Sequence, residues 1–331
     1  MSQHERDGCP CKQHHIKAFP TNEVLEARLT ELVLNARAGG GDSRAPAKLR
    51  WLNLLSYESR SAHRGAPILF GAFVALQLGL LLAFIRAGFR PTWDQQVAAG
   101  PVAIAATVIV CNLVLCFGEY FFHRYILHIE TVRFLRSLCR SHLTHHKLTF
   151  IGFDDRTGKV RSAYPILDAT HDDQSTFPPW ALIPFFAFFT PFFAPMAFSF
   201  PRLPILIGGY TAIAIAHFLY EFLHAIHHQP YERFWKPRLA RPISGPVWRW
   251  LYGFHQAHHA YYRCNLNVAG FFGVPLADFV FGTYRRPKPL LIDGTPATKA
   301  AARRLITTPR WPIAWLDRVV FKRRRWMVKR P

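Results

Sequence analysis

The chain has 331 residues, half of them hydrophobic, with 29 phenylalanines and a formal net charge of +21. That length suits one large domain or two small ones, with a core of useful size. High apolar content beside so large a positive charge argues against a nucleic-acid binder, for which no binding module is present, and for a membrane protein with basic loops.

Residues 1–20 are polar, and Cys9, Cys11, His14 and His15 read as part of a mobile terminus rather than a metal site. A helix is expected from Thr21, which can cap it, with Val24, Leu25, Leu29, Leu32 and Val33 on one face and Gly39-Gly40-Gly41 as its stop. The six cysteines show no framework spacing, and no cleavable signal peptide precedes the first apolar run, which implies reduced thiols.

Four apolar runs follow, at 66–85, 101–117, 180–200 and 203–219, the third interrupted by Pro184, Pro191 and Pro195. About 20 apolar residues in a helix cross about 30 Å of hydrocarbon. Four crossings in two hairpins are therefore expected, with an interfacial turn at Phe89–Trp93. Arg86 and Arg90 lie between the first two runs and Arg202 between the last two; every other Lys and Arg falls outside those two turns. The positive-inside rule then puts both termini and the segment between the second and third crossings in the cytoplasm. Near the end, Trp311, Trp315, Val319, Val320 and Phe321 sit among basic residues, a composition suited to an anionic membrane surface.

All the histidine clusters fall on that same side. His-x-x-His-His occurs three times, at His142/His145/His146, His224/His227/His228 and His255/His258/His259, and a further pair, His123 and His128, lies upstream. Neutral imidazole is the commonest metal ligand, and residues i, i+3 and i+4 share one face of a helix. His217, Glu221, His224 and His228 line one such face. The spacing of His123 and His128 does not, so these two serve different metals or the helix ends between them. Ten histidines make two five-coordinate sites, each with one open position, which suits redox iron; zinc, copper and manganese stay open on ligand type alone. A closed structural zinc site needs only four ligands. A carboxylate-bridged di-iron bundle wants two Glu-x-x-His motifs, and only Glu221/His224 supplies one. Glu119 and Glu221 are expected to orient nearby imidazoles. His4, His14, His15 and His63 read as ordinary histidines, while His171 and His217 are undecided.

The stretch Glu119-Tyr120-Phe121-Phe122-His123-Arg124-Tyr125-Ile126-Leu127-His128 resembles the first histidine box of the fatty acid hydroxylase superfamily, the integral-membrane di-iron family that includes sterol desaturases. His142-Leu143-Thr144-His145-His146 resembles the second. Glu221 to His228 is similar to a His-x-x-x-His box, which favours His224 and His228 over His227. His255-Gln256-Ala257-His258-His259 followed by Pro275-Leu276-Ala277-Asp278 and Phe281-Gly282-Thr283 is similar to the closing box and its tail. The match covers about residues 118–286, and the loops at 149–179 and 229–254 depart from it.

The resemblance implies two iron ions, with zinc as a substitute in a purified sample, held by His123, His128, His142, His145, His146, His224, His228, His255, His258 and His259. It implies oxygen-dependent hydroxylation of a membrane lipid or fatty acyl chain. Desaturation, or oxidation of a sterol, carotenoid or lipid headgroup, is the alternative within enzymes; a membrane metal-binding or metal-transport protein is the alternative outside them. The partners would be dioxygen, the lipid substrate, the bilayer and a separate cytochrome b5-like or ferredoxin-like electron donor with its reductase. No nucleic acid is expected. The expected fold class is all-α: an integral membrane bundle of about four transmembrane helices capped by a cytoplasmic, helical, histidine-rich di-metal domain. Its expected divisions are an N-terminal segment at 1–64, the membrane and metal domain at 65–286 and a basic membrane-surface tail at 287–331. The location would be a bacterial inner membrane or the endoplasmic reticulum.

Overall fold

Four apolar stretches become the four longest apolar helices of a computed structural model that describes residues 66–154, 156–166, 177, 179–297 and 299–328. They are α1 (Ala66–Gly88), α3 (Gly100–Phe122), α5 (Leu182–Ser199) and α6 (Ile205–His227), each long and apolar enough to cross a membrane. Between the first two runs, where an interfacial turn is expected, lies a further helix, α2 (Arg90–Ala98), with Pro91 in its first turn. Pro91 has no N–H to leave unsatisfied there, so it starts the helix rather than breaking it. The buried Gln96 at its end accepts hydrogen bonds from the Leu206 and Ile207 backbone N–H groups, which start α6 and have no partner within that helix. Pro191 and Pro195 do not interrupt α5.

Packing among these helices is close. Phe70, Val74 and Ile85 of α1, Leu182, Phe186 and Phe193 of α5, and Leu206, Tyr210 and Ile213 of α6 form one core. Small residues allow the approach: a Cβ on Gly208 would come within 2.7 Å of the Thr107 side chain of α3, and one on Gly209 within 2.6 Å of Phe193. Outward-facing residues of the same helices are apolar yet exposed, among them Ile68, Leu80, Val102, Val114 and Phe188.

The remaining elements gather at one end of α3 and α6. They are α4 (Arg136–Leu148), the hairpin β1 (Ile151–Asp154) and β2 (Lys159–Ser162), α7 (Lys236–Leu239), α8 (Gly245–Ala260), α9 (Leu276–Phe281), α10 (Lys299–Arg303) and α11 (Ile313–Val328). The strands pair antiparallel, Ile151 opposite Ser162. The loop expected at 149–179 thus holds a hairpin in its first half, with Ile151 and Val160 packed against Trp235 and Tyr252. The expected helix from Thr21, and His4, His14, His15, His63 and His171, lie outside the described residues.

Part of the segment expected as a surface tail is built into the body. Leu290, Leu291, Leu305 and Ile313 are buried. The Arg124 guanidinium, beside His123, donates to both oxygens of Asp317 in α11 at 3.0 and 2.6 Å, and the Tyr125 hydroxyl donates to the same carboxylate. Trp311, Trp315 and Val319 stay exposed. Replacing Gly208 by Val should force α3 and α6 apart at Thr107 and lower stability by about 1–3 kcal/mol. Thermal unfolding in detergent measures this, and an unchanged midpoint would show that the two helices do not touch there.

Candidate metal centre

Each His-x-x-His-His repeat divides its rings in the same way. On α4, His142 and His146 are four residues apart and share a face, while His145 points elsewhere; on α8, His255 and His259 form the pair and His258 is the odd one. Ten histidines thereby form two groups. One is His123, His128, His142, His146 and His258; the other is His145, His224, His228, His255 and His259, and within each group the nearest ring nitrogens lie within 4.8 Å of one another. The i and i+4 histidines of a repeat enter one group, and the i+3 histidine of α4 and of α8 crosses into the other. The two groups are interlocked: His146 stacks on His259 with ring centroids 4.2 Å apart.

His123 and His128 join the same group through a local change of helix. After Phe122 the chain makes a π-helical turn, His123–Leu127, whose wider winding brings residues five apart into register. The two rings stack at 5.0 Å and 9°. Of the two alternatives expected, different metals or a helix that ends between them, the second holds: helical winding ends at Leu127, before His128. On α6 the pair is His224 and His228. His227, the i+3 ring, enters neither group and packs against His255 and Phe254.

Backbone carbonyls set the tautomers. The Nδ1 of His123 lies 2.6 Å from the Leu266 carbonyl, that of His228 2.8 Å from Tyr164, that of His258 2.8 Å from Cys264, and that of His259 2.9 Å from Thr149. A carbonyl only accepts, so each of these Nδ1 atoms carries the proton and each Nε2 presents a lone pair. Those Nε2 atoms face other Nε2 atoms at 3.0–3.2 Å: His123 to His142, His258 to His146, His228 to His255 and His259 to His255. His142 and His146 face each other at 3.1 Å. Nitrogens about 2.1 Å from one metal and at right angles lie about 3.0 Å apart, against about 3.4 Å for a tetrahedral pair. The 3.0–3.1 Å contacts of the first group lie nearer the right-angle value, and the 3.2 Å contacts of the second fall between the two.

Burial makes the same point. Every member is buried except the half-buried His146. Both ring nitrogens of His128 and of His145 are buried without a hydrogen-bond partner among the described residues. Burial, reinforced by the neighbouring imidazoles, holds His128, His142, His145, His146, His255, His258 and His259 well below the usual histidine pKa. These rings are neutral near pH 7, the form that binds cations. Neither group contains a carboxylate or thiolate. Donor set, tautomers and spacing fit two metal ions.

The two glutamates have different surroundings. Glu119 accepts hydrogen bonds from the backbone N–H of Val268, Ala269 and Gly270 at 2.7–2.9 Å, and from the Asn267 amide, rather than from an imidazole. It holds the loop whose Leu266 carbonyl fixes His123. Asp278 grips the same loop through the Asn267 N–H and is itself held by Thr283. Glu221 is buried on α6 one turn before His224 and accepts the Phe177 N–H. Sequence reasoning gave no role to Tyr164, Thr149, Cys264 or Leu266, because a backbone carbonyl leaves no residue-type signal. Tyr262, half outside, stacks on His128 at 5.1 Å.

No protein-family model, no curated protein and no solved structure matches the chain.

Replacing His228 by Ala should halve the bound metal, from two ions per chain to about one, while His227→Ala keeps two; metal analysis of the purified variants distinguishes them. Equal losses would remove the distinction drawn between neighbours. For the metal-free protein, the depressed pKa values mean that the unfolded chain takes up protons first as pH falls below about 6.5. Stability is therefore full above that pH and falls below it, by up to about 1.4 kcal/mol per pH unit for each histidine. Thermal midpoints at pH 7.5 and 5.5 test this, and a higher midpoint at pH 5.5 would contradict it.

Proposed function

We propose that the chain is an integral-membrane oxidoreductase that uses two iron ions and dioxygen to hydroxylate a lipid or fatty acyl chain. The observation that carries this reading is the pair of interlocked, all-histidine groups at the ends of membrane-length helices. Five imidazoles in each group would hold a six-coordinate metal with one position to spare, more ligands than a closed structural zinc site needs. Iron bound there supplies the redox chemistry that couples dioxygen to oxidation of a C–H bond.

The chain's own residues supply the rest. α4 and α8 each give ligands to both metals, so the two sites keep a fixed relation. Tyr164 lies over His228 and His259 with its ring centroid 4.6 and 5.2 Å from theirs, and with the hairpin it excludes water from the second group. The substrate approaches from the bilayer between aromatic-rich α1, α5 and α6. The charge asymmetry of the turns supports a cytoplasmic position for the metals, within reach of a separate electron donor. The exposed Trp311 and Trp315 of the basic C-terminal segment lie against the anionic leaflet.

The test is turnover by the iron-loaded protein in liposomes of bacterial lipid extract, with a chemical reductant and isotopically labelled dioxygen. One labelled oxygen gained per product, lost in His145→Ala and His258→Ala, is the expected result. Loss of two hydrogens instead would assign desaturation. No oxidised lipid from a reduced chain carrying two irons would contradict the reading.

A further inference from the structure

Two buried imidazoles of α6, His217 and His227, belong to neither metal group, and only His217 lies away from the metals. His217 stands on the same helix face as Glu221 and His224, at successive turns away from the metals and toward the middle of the membrane-length helix. It is 7% exposed, and its Nε2 is buried without a hydrogen-bond partner among the described residues. Its walls are aromatic and come from three helices. Phe70 of α1 lies 6.0 Å away and Phe185 of α5 5.9 Å away, ring centre to ring centre. Phe177 continues the wall to Tyr220, and Tyr220 stacks on His224 at 5.8 Å. An unmet imidazole nitrogen between phenylalanines costs stability that a leucine would not. Glu221, one turn nearer the metals, already accepts the Phe177 N–H, so an unmet nitrogen among these rings is suited to a ligand that is apolar except at one place.

We propose that His217 is a specificity-determining residue that hydrogen-bonds an oxygen function, a hydroxyl or carbonyl, on an otherwise apolar substrate. Seven residues of helix put that group about 10 Å from the level of His224, hence on the order of 10 Å from the carbon presented to the metals. The substrate class is thereby narrowed from plain hydrocarbon chains to lipids carrying an oxygen at that distance. The inference rests on the hydroxylase reading for the ligand's being the substrate, but binding tests it without turnover.

The probes are matched pairs in detergent: hexadecane and hexadecan-1-ol, cholestane and cholesterol, β-carotene and its dihydroxy derivative. Ligand-dependent thermal shift and binding isotherms are measured on the metal-loaded full chain. At least one oxygen-bearing member should bind the wild type about ten-fold more tightly than its hydrocarbon partner, the scale of one hydrogen bond in an apolar site. In His217→Leu that preference should vanish, with two metals retained and an unchanged or higher thermal midpoint. In His217→Gln part of it should return. A preference that survives in His217→Leu, or none in the wild type for any pair, overturns the inference. A merely structural role would instead lower the midpoint and weaken both members of a pair equally. Failure to oxidise any lipid, with the His217-dependent preference intact, would sink the hydroxylase reading alone.

Discussion

Ten imidazoles within reach of one another, nine of them buried, form the constraint on which the rest of the structure depends. None can be protonated there without repelling its neighbours in a medium that solvates charge poorly, and no carboxylate in either group offsets a positive ring. Their Nε2 atoms converge at 3.0–3.2 Å, where neutral rings satisfy only some of the contacts and a cation would engage every lone pair. A metal bound there would therefore stabilise the folded region.

Holding those rings in place falls largely to the backbone. Four carbonyls choose the tautomer of four histidines, and each lies on a segment that is itself pinned. Thr149 closes α4 by bonding the His145 carbonyl through both its N–H and its hydroxyl. Tyr164 lies just after β2, where the Ile166 N–H returns to the His228 carbonyl. Leu266 and Cys264 lie on a loop gripped by Glu119, Asn267 and Asp278, with Gly270 at φ +54° where a Cβ would meet the Val274 carbonyl at 2.3 Å. The far end of the chain adds the Asp317–Arg124 pair directly behind His123. Histidines from the turn after α3, from α4, from the end of α6 and from α8 are in this way tied into one shell, although they span more than a third of the sequence.

Much of this was legible beforehand for a physical reason. Hydrophobic length marks a membrane-length helix almost alone, so all four runs appear as helices, and α6 differs mainly in continuing through the histidines that follow its apolar part. The His-x-x-His-His repeats stand out because helical winding makes i, i+3 and i+4 neighbours. The arrangement of His123 and His128 was not legible, since residue types do not announce a π-helical turn. Nor was the part played by Glu119: a carboxylate one turn before a histidine looks like its partner, whereas the loop N–H groups compete for it and win. The hairpin at 151–162 and the buried Leu290 and Leu291 were missed because their pairing is with distant residues rather than local ones.

The central claim is that each group of five histidines binds one ion through imidazole nitrogen. X-ray absorption at the iron edge, on protein reconstituted with iron and quantified for metal, measures this directly. The account predicts two irons per chain, each with a shell dominated by nitrogen at about 2.1 Å and the outer scattering of several imidazole rings. One iron per chain, or a shell containing sulfur, would contradict it.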